Sequence, residues 1–262
     1  MDFNDERYIF KICNDFTIKN DVKHLLDDIL NNYINKIGSP PLGFRKIEIF
    51  DKQENPFAYY ISEEQDNYRI NLSTNFEYRD YCSIAYEFSH EICHIYSFHS
   101  DKRYKVNNWL IESICIMSSF FYLEYLYKKW LFNPPFQNWQ HYAINFFNYK
   151  AKYLEEIKFD LQSRKLNLES KVVNIFQNGL SDQYDRANTR LIALYFYDYF
   201  WKDSNYWQLL KYLPLSIEEI DKTDDYTFEN STPVLSKLIK VLPENLKYLV
   251  NNLSLNNIFT YQ

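Results

Sequence analysis

Tyr86-Glu87-Phe88-Ser89-His90-Glu91-Ile92-Cys93-His94-Ile95-Tyr96 is the stretch on which the reading of this chain turns. Neither Gly nor Pro occurs between Arg79 and Ser100, and Ile84, Ala85, Phe88, Ile92 and Ile95 recur at helical spacing, so the spacing predicts a helix. His90 and His94 are one turn apart. Side chains four residues apart share a face, with Cβ atoms roughly 5–6 Å apart, so both imidazoles can ligate one metal ion. Glu91 then leans from the adjoining position toward any water that ion holds. The bland alternative is a helix carrying two solvated or hydrogen-bonded histidines.

A catalytic zinc site usually has three protein ligands and one open position, so the pair needs a partner. The candidate is Glu112, in Asn108-Trp109-Leu110-Ile111-Glu112-Ser113, one turn into the next expected helix. A helix–connector–helix hairpin of this length can bring that turn back beside the histidines. A carboxylate in a helix's first turn also suits the helix dipole without any metal. The apolar run Ile114-Cys115-Ile116-Met117 that follows is unusual company for a solvated acid, and this favours the ligand reading.

Together the two segments resemble the gluzincins, zinc peptidases with His-Glu-x-x-His on one helix and a Glu ligand on the next. Trp109-Leu110-Ile111-Glu112-Ser113 is similar to the Trp-Leu-x-Glu-Gly segment of the gluzincin aminopeptidases, and the gap from His94 is close to theirs and to that of the thermolysin-like enzymes. The resemblance implies a zincin-like fold, one Zn2+ held by His90, His94 and Glu112, and Glu91 as general base. It extends loosely to Tyr184-Asp185-Arg186-Ala187, similar to a segment whose Tyr stabilises the oxyanion, which makes Tyr184 a candidate; Arg186 and Arg190 could receive a substrate carboxylate or be surface charges. With 25 tyrosines in the chain, Tyr184 is also readable as a packed core residue.

Departures narrow the inference. No Gly-x-Met-Glu-Asn segment is present, so exopeptidase activity is not implied, and Ile116 stands where the thermolysin-like enzymes carry an Asp. Glu87, one turn before His90, is the substitute candidate for orienting the histidines. A metzincin pattern fits less well, because Ser97 and Ser100 occupy its Gly and His places and His99 falls one residue short. The resemblance covers roughly Tyr68 to Ser119, plus the looser match near Tyr184.

Composition sets wider bounds. The 262 residues include 19% aromatics and only three Gly, a chain able to bury a substantial core. A net charge of −6 without a long basic run argues against a nucleic-acid partner. The acidic start Met1-Asp2-Phe3-Asn4-Asp5-Glu6-Arg7 shows no secretory signal, so the cytoplasm is the expected compartment. Leu110 to Leu126 is apolar but interrupted by Glu112, Ser113, Ser118, Ser119 and Glu124; it reads as a buried core helix, with no membrane partner expected. Cys13, Cys82, Cys93 and Cys115 form no C-x-x-C pair and read as reduced core residues rather than disulfides or ligands.

Along the chain, Asn20 or Asp21 is expected to cap a helix over Asp21 to Ile37, ended by Gly38-Ser39-Pro40-Pro41. Phe44 to Phe50, Phe57 to Ser62 and Tyr68 to Ser73 read as strands of a small antiparallel sheet with a hairpin. Tyr68 to Ser73 is the expected edge, available to an extended peptide by strand addition. The metal helix is expected to end near His99-Ser100, and further helices at Trp109 to Lys129, Trp139 to Leu161, Lys171 to Asn178, Tyr184 to Trp201, Tyr206 to Tyr212, Thr232 to Leu242 and Pro243 to Asn251. The fold class is α+β in one metallopeptidase-like domain: residues 1–100 form an α+β lobe with a small antiparallel sheet, and residues 101–262 a mostly helical lobe. The expected function is hydrolysis of a peptide or protein substrate; the alternative is a non-catalytic zincin-fold binding protein.

Overall fold

In the computed structural model, which describes residues 8–10, 16–40, 45–54, 56–61, 67–97, 104–105, 108–163, 167–178, 185–213, 218–219 and 239–247, the expected strands pair differently from the sequence reading. Strands β1 (Tyr8–Phe10), β2 (Ile47–Phe50), β3 (Phe57–Ile61) and β4 (Asn67–Asn71) lie in the order β1-β2-β4-β3. β1 is parallel to β2 and β2 to β4; β3 alone is antiparallel, paired with β4 from Phe57↔Asn71 to Ile61↔Asn67. The expected antiparallel sheet is thus corrected to a mixed one. Helix α1 (Phe16–Ile37) lies between β1 and β2 in the chain, and a helical crossover lets the chain re-enter a sheet in the same direction. Three residues, Tyr8-Ile9-Phe10, leave too short a pattern to be read as a strand beforehand.

The expected edge is corrected too. β4 is interior, flanked by β2 and β3, and β3 is the outer strand on that side. Four of the five β4 residues are buried, as suits a strand covered on both sides, whereas Phe57 at the start of β3 is exposed.

α1 starts five residues before the expected Asp21, because Ile18 extends the buried stripe of Val22, Leu25, Leu26, Ile29, Leu30, Tyr33 and Ile37 backwards. Asp21 is consequently inside the helix, where it accepts a bond from the Tyr81 hydroxyl (3.3 Å) rather than capping. The stop is as expected: Gly38 adopts φ 91° and donates its N–H to Ile34 O (2.8 Å), a left-handed cap that glycine takes without steric cost. Asp80 caps helix α2 (Tyr81–Ser97), accepting from Ser83 N and Ser83 Oγ at 3.2 and 2.8 Å. The expected end at His99-Ser100 lies outside the described residues.

The chain divides into two compact units, Met1–Asp101 with Ser118–Ala151, and Lys102–Met117 with Lys152–Gln262. The expected helical lobe begins at about the first break, yet residues 118–151 belong with the N-terminal residues. The reason is visible in helix α3 (Asn108–Phe132), whose Ser118 and Ser119 hydroxyls donate to Ser89 O (3.0 Å) and Tyr86 O (2.9 Å) of α2. Trp130, Trp139, Tyr142 and Phe146 then gather around Tyr81, with Trp130 and Trp139 ring centroids 4.9 Å apart. Residues 137–142 form a tight turn before helix α4 (Ala143–Ser163), so the expected Trp139 start falls within that turn. α3 is long and apolar enough to cross a membrane by length and composition, and 83% of its apolar window is buried within the fold, as in the core helix of a globular protein.

In the second unit, α5 (Leu168–Asn178) packs on α6 (Arg186–Lys202), and α7 (Leu209–Tyr212) follows a short turn at 204–208. β5 (Tyr104–Lys105) pairs antiparallel with β6 (Glu218–Glu219). Asp185 caps α6 through Asn188 N (3.1 Å). Of the last two expected helices, residues 239–241 and 244–247 are helical, and the remainder lies outside the described residues.

The aromatic composition serves as core. Tyr33 of α1 stacks between Tyr96 of α2 and Tyr122 of α3, with centroids 5.2 and 4.7 Å away. Their hydroxyls reach acceptors: Tyr96 donates to Gly38 O (2.9 Å) and Tyr122 to Asn32 Oδ1 (3.2 Å). Burial raises the phenol pKa of Tyr81, Tyr96, Tyr122 and Tyr142 above the usual range, and burial pushes the Cys82 thiol up to about 12. These groups are neutral in the fold, while an unfolded chain ionises its Cys near ~8.5 and its Tyr near ~10. Raised acids therefore stabilise the fold fully below the unfolded values and lose that contribution as pH rises toward the folded ones. The urea midpoint should hold steady from about pH 6 to 8 and fall continuously from about pH 9 to 12; a flat profile across that upper range would show that these shifts do not exist.

Candidate metal centre

α2 presents four faces with different tasks. Ala85, Ser89, Cys93 and Ser97, each four residues apart, make a fully buried stripe of small side chains. Small residues let neighbouring helices come close, and here the polar ones are satisfied: Ser89 Oγ donates to Ala85 O (2.6 Å) and Ser97 Oγ to Cys93 O (2.7 Å). Ile84, Phe88, Ile92 and Ile95 form the apolar face, and α2 packs on β3 and β4. Glu87 and Glu91 follow one another along a third strip. Tyr86, His90 and His94 make the fourth, only partly buried.

The histidines converge. His94 Nε2 and His90 Nε2 are 3.2 Å apart, with ring centroids at 4.9 Å and planes inclined by 65°. Two nitrogens bound tetrahedrally at zinc–nitrogen distances of about 2.0–2.1 Å would themselves be about 3.3 Å apart, so this separation fits a shared ion. It also fits a hydrogen bond between a donor and an acceptor nitrogen of two neutral imidazoles. Glu91, on the intervening position, is only 3% exposed.

Glu112, the expected third ligand, and Cys115, three residues further on, lie one turn apart on the same face of α3, in the unit that begins at Lys102, whereas His90 and His94 belong to the other unit. Sequence reasoning placed Cys115 in the apolar core, and it is indeed buried, as are Cys82 and Cys93; all three are free thiols. Nothing in its flanking Ile114 and Ile116 separates a packed cysteine from a ligating one.

Glu87 does not orient the histidines. Its carboxylate accepts from Ser73 N (2.7 Å) and Thr74 N (3.1 Å) at Oε2, and from Ser73 Oγ (2.5 Å) and Thr74 Oγ1 (2.9 Å) at Oε1. Tyr184 lies outside the described residues. Arg190 is engaged within its own unit, bonded to Glu156 (3.2 Å) and stacked 4.8 Å over Tyr153, whereas Arg186 is exposed. Comparison with protein-family models, with curated proteins and with solved structures finds no match.

The turn that carries His90 is braced from beneath. Ser89 O accepts from both the Tyr33 hydroxyl (3.1 Å) and Ser118 Oγ (3.0 Å), which also contact one another. Removing a buried hydroxyl from such a network leaves its partners short of a bond, at a cost of about 1–3 kcal/mol. Tyr33→Phe should lower unfolding stability by that amount in urea with an unchanged m-value; a loss below a few tenths would mean that the hydroxyl is dispensable to the junction.

Proposed function

We propose that this chain is a zinc-dependent peptidase similar to the gluzincins, hydrolysing the peptide bonds of a peptide or protein substrate. The observation that supports this reading is the His90–His94 nitrogen separation of 3.2 Å on one turn of α2, with the buried Glu91 carboxylate between them in sequence. A bound zinc ion would supply Lewis acidity, polarising the scissile carbonyl and lowering the pKa of water from 15.7 toward ~7. His90 and His94 would hold it, with a third ligand from α3.

In this reading Glu91 takes the proton from the attacking water and passes it to the leaving amine, so one carboxylate serves as base and then as acid. Its burial keeps that proton from bulk solvent, and the adjoining histidines fix its height on the helix. Tyr184, in the proposal, donates its phenol hydrogen to the developing oxyanion. Cytoplasmic residence belongs to the same proposal.

Two experiments bear on it. Purified wild type should carry about one zinc per chain, and Glu91→Gln should retain the metal while losing roughly 10²–10⁴-fold in peptide cleavage, as expected for removal of a general base. Absence of stoichiometric zinc from both proteins ends the reading. The identity of the third ligand separates cleanly: if it is Glu112, Glu112→Gln loses the zinc and Cys115→Ser keeps it, and if it is Cys115 the pattern reverses. A cobalt-substituted protein adds a spectroscopic check, because a thiolate ligand brings an intense near-ultraviolet charge-transfer band that a carboxylate does not.

A further inference from the structure

We propose that Glu87 is a positioning residue for the outer strand of the sheet: its carboxylate fixes the end of β4, and through β4 the strand β3, at one height along the helix that carries His90 and His94. The proposal rests on the peptidase reading only for its consequence in turnover.

The geometry is a two-residue clamp. Both backbone N–H groups of Ser73 and Thr74 converge on Oε2 at 2.7 and 3.1 Å, and both hydroxyls on Oε1 at 2.5 and 2.9 Å. Successive N–H groups aimed at one anionic oxygen form a natural concavity for negative charge, and bonds to a charged acceptor are about twice as strong as neutral ones. Because all four donors come from one dipeptide, a shift of the loop by a single residue would break the whole set. Four bonds therefore act as one register pin.

The other side of the same segment is tied to β2. Leu72 N donates to Phe50 O (2.7 Å), and Gln53 N to Leu72 O (3.0 Å). Residues 72–74 thus connect three things: the exit of β2, the end of β4, and α2 one turn before His90. β3 itself packs on α2 and pairs over five residues with β4, so the end of β4 that Glu87 pins also sets the register of β3. In a peptidase whose substrate is aligned by the outer strand, the distance from that strand to the histidine pair sets whether a bound peptide bond reaches the reacting water. Glu87 sets that distance without touching substrate or metal.

The test uses the full chain with Glu87→Gln, which keeps size but replaces one accepting oxygen by an NH2 group facing donors, and Thr74→Val, which removes one hydroxyl and keeps the fold if Glu87→Gln does not. Expected are an unchanged zinc content, a KM for a peptide substrate raised about tenfold in Glu87→Gln with kcat within about twofold, a smaller rise in Thr74→Val, and amide exchange accelerated about tenfold in β3 and β4, as loss of one charge-assisted bond gives. Unchanged KM and unchanged exchange overturn the proposal. So does loss of zinc, or a fall in kcat at constant KM, since Glu87 would then act on the ligands themselves. A wild type that binds no zinc and cleaves nothing removes the peptidase reading instead, and the positioning role is then decided by the amide exchange of β3 and β4 alone.

Discussion

The carbonyl oxygen of Ser89 sits where α1, α2 and α3 meet, and the arrangement of the candidate site depends on how it is bonded. A helical carbonyl already receives one N–H from the next turn; this one also takes the Tyr33 and Ser118 hydroxyls, 3.1 and 3.0 Å away. Such close approach requires small side chains on the facing surface, which Ala85, Ser89, Cys93 and Ser97 provide. His90 is the next residue. The same close packing that binds three helices therefore fixes the rotational setting of α2 and leaves its Tyr86–His90–His94 strip partly open.

Burying so many hydroxyls is costly unless each is bonded, and the network meets that condition locally. Ser89, Ser97 and Ser113 donate to carbonyls one turn back in their own helices, while Ser118 and Ser119 reach across to α2. The tyrosines behave alike, stacking their rings in the core and delivering hydroxyls to acceptors at its margin. This is how a chain with 19% aromatics builds an interior in which polar groups specify the register between helices. Charged groups do the same, with the buried Lys150 contacting Glu124 and the half-buried Lys129 contacting Asp28 in ion pairs that hold α4 to α3 and α3 to α1.

Against this background Glu87 and Glu91, successive on one strip of α2, divide the labour of a carboxylate. Glu87 spends both oxygens on Ser73 and Thr74, so it shapes the loop that leaves β4. Glu91 stands beside the paired imidazoles, and the proposed chemistry is assigned to it. One acid is a fastening and the other a reactant in the proposed reading, although the two stand four residues apart on one strip of the helix.

Much of this was legible in the order of residues. The helical period around His90, the stop signal at Gly38, the strands near Ile47, Phe57 and Tyr68, and the adjacency of two imidazoles follow from local rules, because helix spacing alone places residues 90 and 94 together. What the sequence could not decide was set by contacts between distant segments. The parallel pairing of β1, β2 and β4 depends on where α1 returns the chain. The interior place of β4 depends on which neighbours it finds. Glu87 chose a loop fourteen residues away over the ring one turn ahead. Local sequence determines which side chains share a helix face; only packing between elements, with its demand that buried polar atoms be bonded, determines which faces meet.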